Sequence, residues 1–160
     1  MAKEKTQKTN AMRILDAGGI PHRVNYYTCD EFIDGVHVAD ALGQPHDRSF
    51  KTLVTTGKSK AYYVFVLPIE AELDLKKAAK AVGEKSVELL HVKDIRAVTG
   101  YIRGGCTPIG MKKQFPTVLH QSAFDFDEII ISGGMLGAQI FLNPRDLAAL
   151  LGATVTDIVK

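Results

Sequence analysis

The sequence predicts an α+β fold: a single domain over residues 1–160, with a mixed, mostly antiparallel, curled (barrel-like) sheet and short helices packed around it. Short segments rich in β-branched and aromatic residues intermingle with short amphipathic segments, without the regular alternation of doubly wound folds. Residues 49–56 and 61–67 flank a turn at 57–60 and predict a β-hairpin. No repeat or linker divides the 160 residues, which are enough for one sizeable core.

Helix caps and β-like segments predict the elements before the hairpin. Thr9 or Asn10 can cap a first helix that runs through residue 15 and ends before Gly18. Residues 24–28 are typical of a strand, and residues 36–42 of a short helix that Gly43 ends.

After the hairpin, Asp74 is the expected cap of a helix over residues 75–82, which Gly83 ends. Its spacing predicts an inner face and an outer lysine face; the inner residues are Leu75, Ala78, Ala79 and Val82. We expect a strand over residues 87–90 and a helix over residues 92–98 that leads into a glycine-rich loop.

The last third of the chain predicts strands over residues 117–120, 128–132 and 139–142. Asn143 followed by Pro144 is a strong helix start, since proline fits the first helical turn. That helix is expected to reach residue 151 and stop at Gly152, and residues 155–159 are expected to form a final strand.

Two glycine-rich turns are the most informative features of the chain. Residues 99–110 contain four glycines and a proline, and residues 132–134 read Ser-Gly-Gly directly after a strand-like segment. Because glycine lets a ligand approach the backbone closely, two such turns indicate backbone amides directed at a shared pocket, although an isolated Gly-Gly pair is more often a plain turn. The first turn lacks the lysine of a P-loop, since Met111 stands there, and no G-x-G-x-x-G follows a strand. Nucleotide hydrolysis and dinucleotide binding are therefore excluded.

Composition excludes several further classes of function. The net charge of +2 is too small for a general nucleic-acid coat, and no apolar run approaches the roughly 18 residues of a membrane helix. Residues 1–10 are polar and do not resemble a signal peptide, so we expect a cytoplasmic protein that does not bind membranes. Cys29 and Cys106 are expected to be free thiols. The five histidines are scattered without metal-binding spacing, so we expect no metal and no cofactor.

Lys51 is the strongest candidate for a functional side chain. Strand alternation places Phe50, Thr52 and Val54 on one face and Lys51 and Leu53 on the other. A lysine that shares a face with an apolar residue is partly desolvated, and its ammonium then becomes a strong donor to an anion or an ester carbonyl. Periodicity alone favours the alternative of a lysine that extends into solvent along its own stem.

Other residue types suggest roles that the sequence leaves open. Tyr26 and Tyr27 end a strand, where a tyrosine suits stacking or hydroxyl donation, but one of such a pair is commonly a core residue. Cys106 has no assignable base and is interpreted as a small buried or loop thiol rather than a nucleophile. The basic residues Arg103, Lys112 and Lys113 flank the glycine loop and would suit a polyanion such as an RNA end.

Taken in order, these motifs closely resemble the YbaK family. The resemblance rests on Phe-Lys-Thr-Leu at residues 50–53, the helix at 73–83, the glycine loop at 99–110 followed by a Lys-Lys pair, and Ser-Gly-Gly at 132–134. It extends from about residue 14 to residue 159. The family comprises free-standing Cys-tRNA(Pro) deacylases related to the editing domain of bacterial prolyl-tRNA synthetases.

The resemblance implies trans-editing of Cys-tRNA(Pro) that prolyl-tRNA synthetase has mischarged, since a pocket sized for proline rejects smaller residues weakly. It implies that the substrate's own thiol attacks the ester and releases a cyclic thiolactone, so that no protein nucleophile is needed. The implied partners are the aminoacyl-tRNA 3′ end and prolyl-tRNA synthetase. The implied catalytic residue is Lys51, and the implied substrate-binding residues are Tyr27, Gly104, Gly105, Thr107, Pro108, Ser132, Gly133 and Gly134.

Two departures from the family pattern bear on the choice of aminoacyl group. Cys106-Thr107 replaces the isoleucine-serine that relatives often carry, and Gln139 stands where many carry aspartate. An Ala-tRNA(Pro) deacylase and a catalytically silent module that binds tRNA or a synthetase are the alternative functions.

Overall fold

The computed structural model of the protein describes residues 8–29, 31 and 33–160, so the expectation that residues 1–10 are not a signal peptide lies largely outside the described residues. In that part of the chain, the helices are α1 (Asn10–Ala17), α2 (Gly35–Leu42), α3 (Leu75–Val82), α4 (Ile95–Thr99) and α5 (Pro144–Leu151). The strands are β1 (His22–Tyr26), β2 (Phe50–Gly57), β3 (Tyr62–Pro68), β4 (Val87–Leu89), β5 (Thr117–His120), β6 (Ile129–Ser132), β7 (Ala138–Leu142) and β8 (Thr154–Thr156). Short 3-10 helices span His46–Arg48, Val92–Asp94 and Gln121–Asp125.

The strands form two sheets, which confirms the mixed and mainly antiparallel character of the prediction. The smaller sheet has the order β1-β7-β6 and is antiparallel. The larger has the order β4-β2-β3-β5-β8, in which the β3–β5 and β5–β8 pairs are parallel. A barrel-like sheet is not confirmed, because no pairing among the described residues joins β4 to β8; instead, a single parallel bridge between Ser49 and Ile130 connects the two open sheets.

The predicted hairpin is confirmed and holds Lys51 in a fixed register. Antiparallel pairing of β2 with β3 places Lys51 opposite Leu67, and the turn closes where the amide of Gly57 donates to the carbonyl of Ala61 at 2.8 Å. The buried side chains Phe50 and Val54 then anchor β2 in the core. Burial of these side chains sets the register, since a slip of one residue would turn them to the opposite face.

Helix boundaries follow their predicted caps. The Asp74 carboxylate accepts from the amides of Lys76 and Lys77 at 3.0 Å each, and Gly83 ends α3 in the left-handed conformation. Ala78 and Ala79 are buried as predicted, whereas Leu75 is 41% exposed because it lies at the first helical position, at the margin of the packed face. The helix expected over residues 92–98 begins as a 3-10 turn and becomes α-helical only at residue 95.

The C-terminal strand is shorter than predicted, and side-chain acceptors explain the difference. Pairing of β8 with β5 ends at Thr156, opposite His120. Beyond it, the amide of Ile158 donates to Nδ1 of His120 at 3.2 Å, and the amide of Val159 donates to the Asp157 carboxylate at 3.2 Å. These bonds take the donors that a longer strand would have used, so only an isolated bridge from Val159 to Leu73 follows.

Two apolar clusters fill the interior. The larger cluster joins α1, β2, β3 and α5 to strands β6 and β7 of the small sheet. The smaller cluster lies between α3 and the large sheet. Among the described helices, none combines the length and apolarity required to cross a bilayer.

Candidate active site

A cavity of about 400 Å³ lies where the two sheets diverge. At Ser49 the outer edge of β2 contacts β6, and from Thr55 onward the same edge pairs with β4. Between these points the described residues provide no strand partner for that edge, and the cavity occupies the gap. Helix α2 and the segments at residues 89–95 and 103–106 close the remaining walls.

Four of the nine predicted site residues line this cavity: Lys51, Tyr27, Gly104 and Ser132. They come from β2, from the end of β1, from the glycine loop and from the end of β6. The predicted convergence of the lysine with the two glycine-rich turns is therefore present in the structure. Their roles in binding and catalysis remain predictions.

The other predicted glycines do not line the cavity; they hold the two turns together. A side chain at Gly105 would place its Cβ 2.9 Å from the Cα of Met135, and one at Gly133 would lie 2.8 Å from the Cβ of Ala138. Gly134 has a φ of +96°, which only glycine adopts readily, and packs against Thr9. The Thr9 hydroxyl also donates to the Gly133 carbonyl at 2.6 Å, which ties α1 to the same turn.

Thr107 and Pro108 are buried within the glycine loop and do not line the cavity. The Thr107 hydroxyl is fully buried and has no hydrogen-bond partner among the described residues. The loop itself is closed by the amide of Gly105, which donates to the carbonyl of Ile102 at 2.9 Å. Direct contact of Thr107 or Pro108 with a substrate remains a prediction.

Lys51 is half-buried in the cavity wall. Burial lowers the pKa of its amine, and the charge of Glu72 partly opposes that shift. No described carboxylate lies within ion-pair distance of the amine, so its positive charge is available to a bound group. Residues of both strand faces, Lys51 and Thr52 among them, line the cavity because it opens along the edge of β2 rather than above one face.

Tyr27 lies at the opposite side of the gap, where β1 ends. Its amide donates to the Gly137 carbonyl at 2.8 Å, which fixes the backbone beside the second turn. Burial raises the pKa of the phenol, so the hydroxyl stays protonated near neutral pH and can donate a hydrogen bond.

Cys106 also lines the cavity, but its environment disfavours a thiolate. Burial raises the pKa of the thiol to about 11, with a smaller opposing effect from a hydrogen bond to Thr99. The described residues that line the cavity include no histidine that could take its proton. The interpretation of Cys106 as a neutral wall residue agrees with this geometry.

An amide pair in the cavity wall was not predicted. Gln44, just beyond α2, and Gln139, on β7, exchange two hydrogen bonds at 2.8 Å, and Asn25 donates to the same Gln139 oxygen at 3.1 Å. The two glutamines are 95 residues apart. No local pattern signals this pairing, because each residue alone resembles an ordinary polar position.

Comparison with known proteins identifies the fold and the family. The family model described as the aminoacyl-tRNA editing domain matches residues 34–150. The chain is 48% identical over 160 residues to EbsC of Enterococcus faecalis, a proposed Cys-tRNA(Pro)/Cys-tRNA(Cys) deacylase, with 99% of this chain and 98% of EbsC covered.

Solved structures of other proteins have the same fold. A crystal structure of a proposed trans-editing enzyme for prolyl tRNA synthetase has a TM-score of 0.80 and 26% identity, covering 96% of this chain and 99% of its own. The hypothetical protein APE2540 shares the fold, with a TM-score of 0.87 at 22% identity and coverage of 95% and 100%. On the family match and the full-length similarity to EbsC, the protein belongs to the aminoacyl-tRNA editing domain family.

Proposed function

We propose that the protein is a trans-editing deacylase that removes cysteine from mischarged Cys-tRNA(Pro). Family membership and the full-length similarity to EbsC support a substrate of the aminoacyl-tRNA class. Prolyl-tRNA synthetase is the proposed partner that supplies tRNA identity, and the enzyme is proposed to act in the cytoplasm.

The observation that carries the proposal is an ammonium that no described carboxylate pairs with, beside a largely apolar cavity. Lys51 supplies that ammonium, and the described lining residues provide no Ser-His or Cys-His pair to act as an activated nucleophile. A site of this kind can polarise an ester carbonyl and orient a substrate, but it needs a nucleophile from elsewhere.

The cysteinyl group of the substrate provides such a nucleophile. Its sulfur attacks the ester carbonyl, the carbonyl oxygen gains negative charge near Lys51, and the bond to the ribose oxygen breaks. The thiol proton passes to the departing ribose oxygen, which becomes a hydroxyl, and the released cysteine is a cyclic thiolactone. Lys51 stabilises the developing oxyanion, and the cavity holds the thiol close to the carbonyl.

The experiment compares deacylation of Cys-tRNA(Pro), Ala-tRNA(Pro) and S-methyl-cysteinyl-tRNA(Pro) by the purified protein, against the spontaneous rate. We expect rapid loss of cysteine only. Preferential loss of alanine would identify an alanyl deacylase, and rapid loss of S-methyl-cysteine would rule out attack by the substrate thiol. Binding of tRNA without loss of any aminoacyl group would identify a silent binding module.

A further inference from the structure

The mouth of the cavity is open to solvent and carries large apolar side chains beside the exposed charged residues Asp34 and Arg103. Leu89 is 51% exposed, Val92 is 54% exposed and Ile33 is 43% exposed, although all three line the cavity. They are three of the five large apolar side chains that the described residues leave exposed. Side chains that are both exposed and part of the wall must lie at the opening.

Positive charge is concentrated on the segment that forms this opening. Residues 89–113 contain five lysines or arginines and one aspartate, a net charge of +4 in a chain that totals +2, so the remaining residues carry a net −2. All five cations are exposed: Lys93, Arg96, Arg103, Lys112 and Lys113.

The C-terminal end of this basic segment packs against α4. The Lys112 ammonium donates to the Ala97 carbonyl of α4 at 3.3 Å, and the Lys112 amide donates to the Thr99 carbonyl at 2.9 Å. These bonds fix Lys112 beside α4, and Arg103 lies in the cavity lining itself.

We propose that this surface, Leu89, Val92 and the five cations, binds the unpaired 3′ strand of the tRNA acceptor end, with bases against the apolar mouth and phosphates against the cations. The proposal rests on the proposed function, because the nucleotide chain attached to an ester held at Lys51 must pass out of the cavity through this opening. Exposed cations bind phosphates through release of counterions, and apolar side chains favour the faces of unstacked bases. The charge of +4 on this segment, in a chain whose total is +2, would suit either an RNA strand or an acidic protein surface. The RNA strand is favoured because the apolar opening leads directly to the proposed ester site.

The test measures binding of a short single-stranded RNA ending in CCA, without an amino acid, by fluorescence anisotropy at several salt concentrations. Charge reversal in the variant K93E/R96E should weaken binding about ten-fold and reduce the slope of log affinity against log salt by about 1.4. Leu89→Ser should weaken binding about five-fold without changing that slope. The matched control K76E/K80E reverses two exposed cations on α3, away from the cavity, and should bind like the unmodified protein.

Deacylation separates this proposal from the proposed function. In K93E/R96E, KM for Cys-tRNA(Pro) should rise about ten-fold with kcat nearly unchanged, whereas cleavage of cysteine methyl ester should stay as in the unmodified protein. If the unmodified protein cleaves neither Cys-tRNA(Pro) nor cysteine methyl ester, the proposed function fails, while the RNA-binding measurement still tests the proposed binding surface. Unchanged RNA affinity in K93E/R96E overturns the surface proposal. Loss of editing in that variant only when prolyl-tRNA synthetase is present, with RNA affinity intact, overturns it as well and indicates a protein contact.

Discussion

Lys51 combines an unfavourable environment with an available charge. Burial lowers the pKa of its amine, which means that the charged form is less stable in the folded protein than in the unfolded chain. Proteins retain such residues where a reaction needs them, because activity and stability compete at functional sites.

Replacing Lys51 with methionine should therefore separate activity from stability. We expect kcat/KM for Cys-tRNA(Pro) to fall about 100- to 1000-fold, the cost of removing one oxyanion donor. The free energy of unfolding at pH 7 should be equal or higher than in the unmodified protein. That difference should shrink as pH approaches 10.5, because the amine loses its proton first in the folded state and the penalty then disappears.

Urea titrations at pH 7 and near pH 10 provide the measurement, with Lys80→Met as the control at an exposed position on α3. A substantial loss of stability at pH 7 would indicate that Lys51 has a structural role instead.

The amide pair Gln44–Gln139 is a second feature of individual side chains, since it attaches the residue beyond α2 to β7 within the cavity wall. Gln44→Ala removes the acceptor of the Gln139 amide nitrogen, and Gln139→Ala removes the acceptor that Gln44 and Asn25 share. Each substitution should therefore cost about 1–2 kcal/mol in unfolding free energy. The double variant should cost little more than one single variant. A double-mutant cycle by urea denaturation measures the coupling, and strict additivity would show that the pair does not act as a unit.

At the scale of secondary structure, the contact between His120 and residue 158 decides where β8 ends. The amide of Ile158 donates to an unprotonated Nδ1, and burial lowers the pKa of His120, with Lys77 lowering it further and Asp157 and Asp125 opposing. The folded state therefore resists protonation that the unfolded chain accepts.

The contribution of His120 to the free energy of unfolding should fall as pH decreases below 6.5, because the unfolded chain then binds a proton at this residue and the folded chain does not. His120→Asn keeps an acceptor but does not titrate, so the loss of stability between pH 6.5 and pH 5 should be smaller in this variant. The difference between the two proteins isolates His120 from His46, whose raised pKa contributes in the opposite direction. Parallel pH profiles for the two proteins would contradict the assignment.

At the scale of the whole molecule, the glycine-rich turns connect α1, the glycine loop and the small sheet. Gly105 lies against Met135, and Gly133 carries the carbonyl that accepts from Thr9. These glycines permit close backbone contact between turns that are distant in sequence. That contact supports the residues of the same turns that line the cavity.

Gly133→Ala should lower stability by about 1–3 kcal/mol, because the new methyl group would meet the Ala138 backbone at 2.9 Å. Thermal unfolding should shift down by about 3–10 °C, with kcat nearly unchanged well below the midpoint. Gly18→Ala is the control, since its φ is −82° and its nearest contact would be an ordinary 3.4 Å. A large loss of kcat in the folded variant would instead support direct substrate contact at Gly133.

Features that depend on neighbouring residues could be predicted from the sequence. Caps such as Asp74 and Asn143 determine helix starts through hydrogen bonds within three positions, and alternation identifies the hairpin that carries Lys51. The ordered motifs also determined the family, which the family match confirms.

Which of the predicted residues share the cavity, and which support it, depends on long-range packing. Gly104 and Ser132 line the cavity while Gly105 and Gly133 pack behind it, and the glutamine pair joins residues 95 apart. Such outcomes depend on the pairing of β2 with three different strands along its length, and pairing between distant segments is set by packing of the whole core rather than by local pattern.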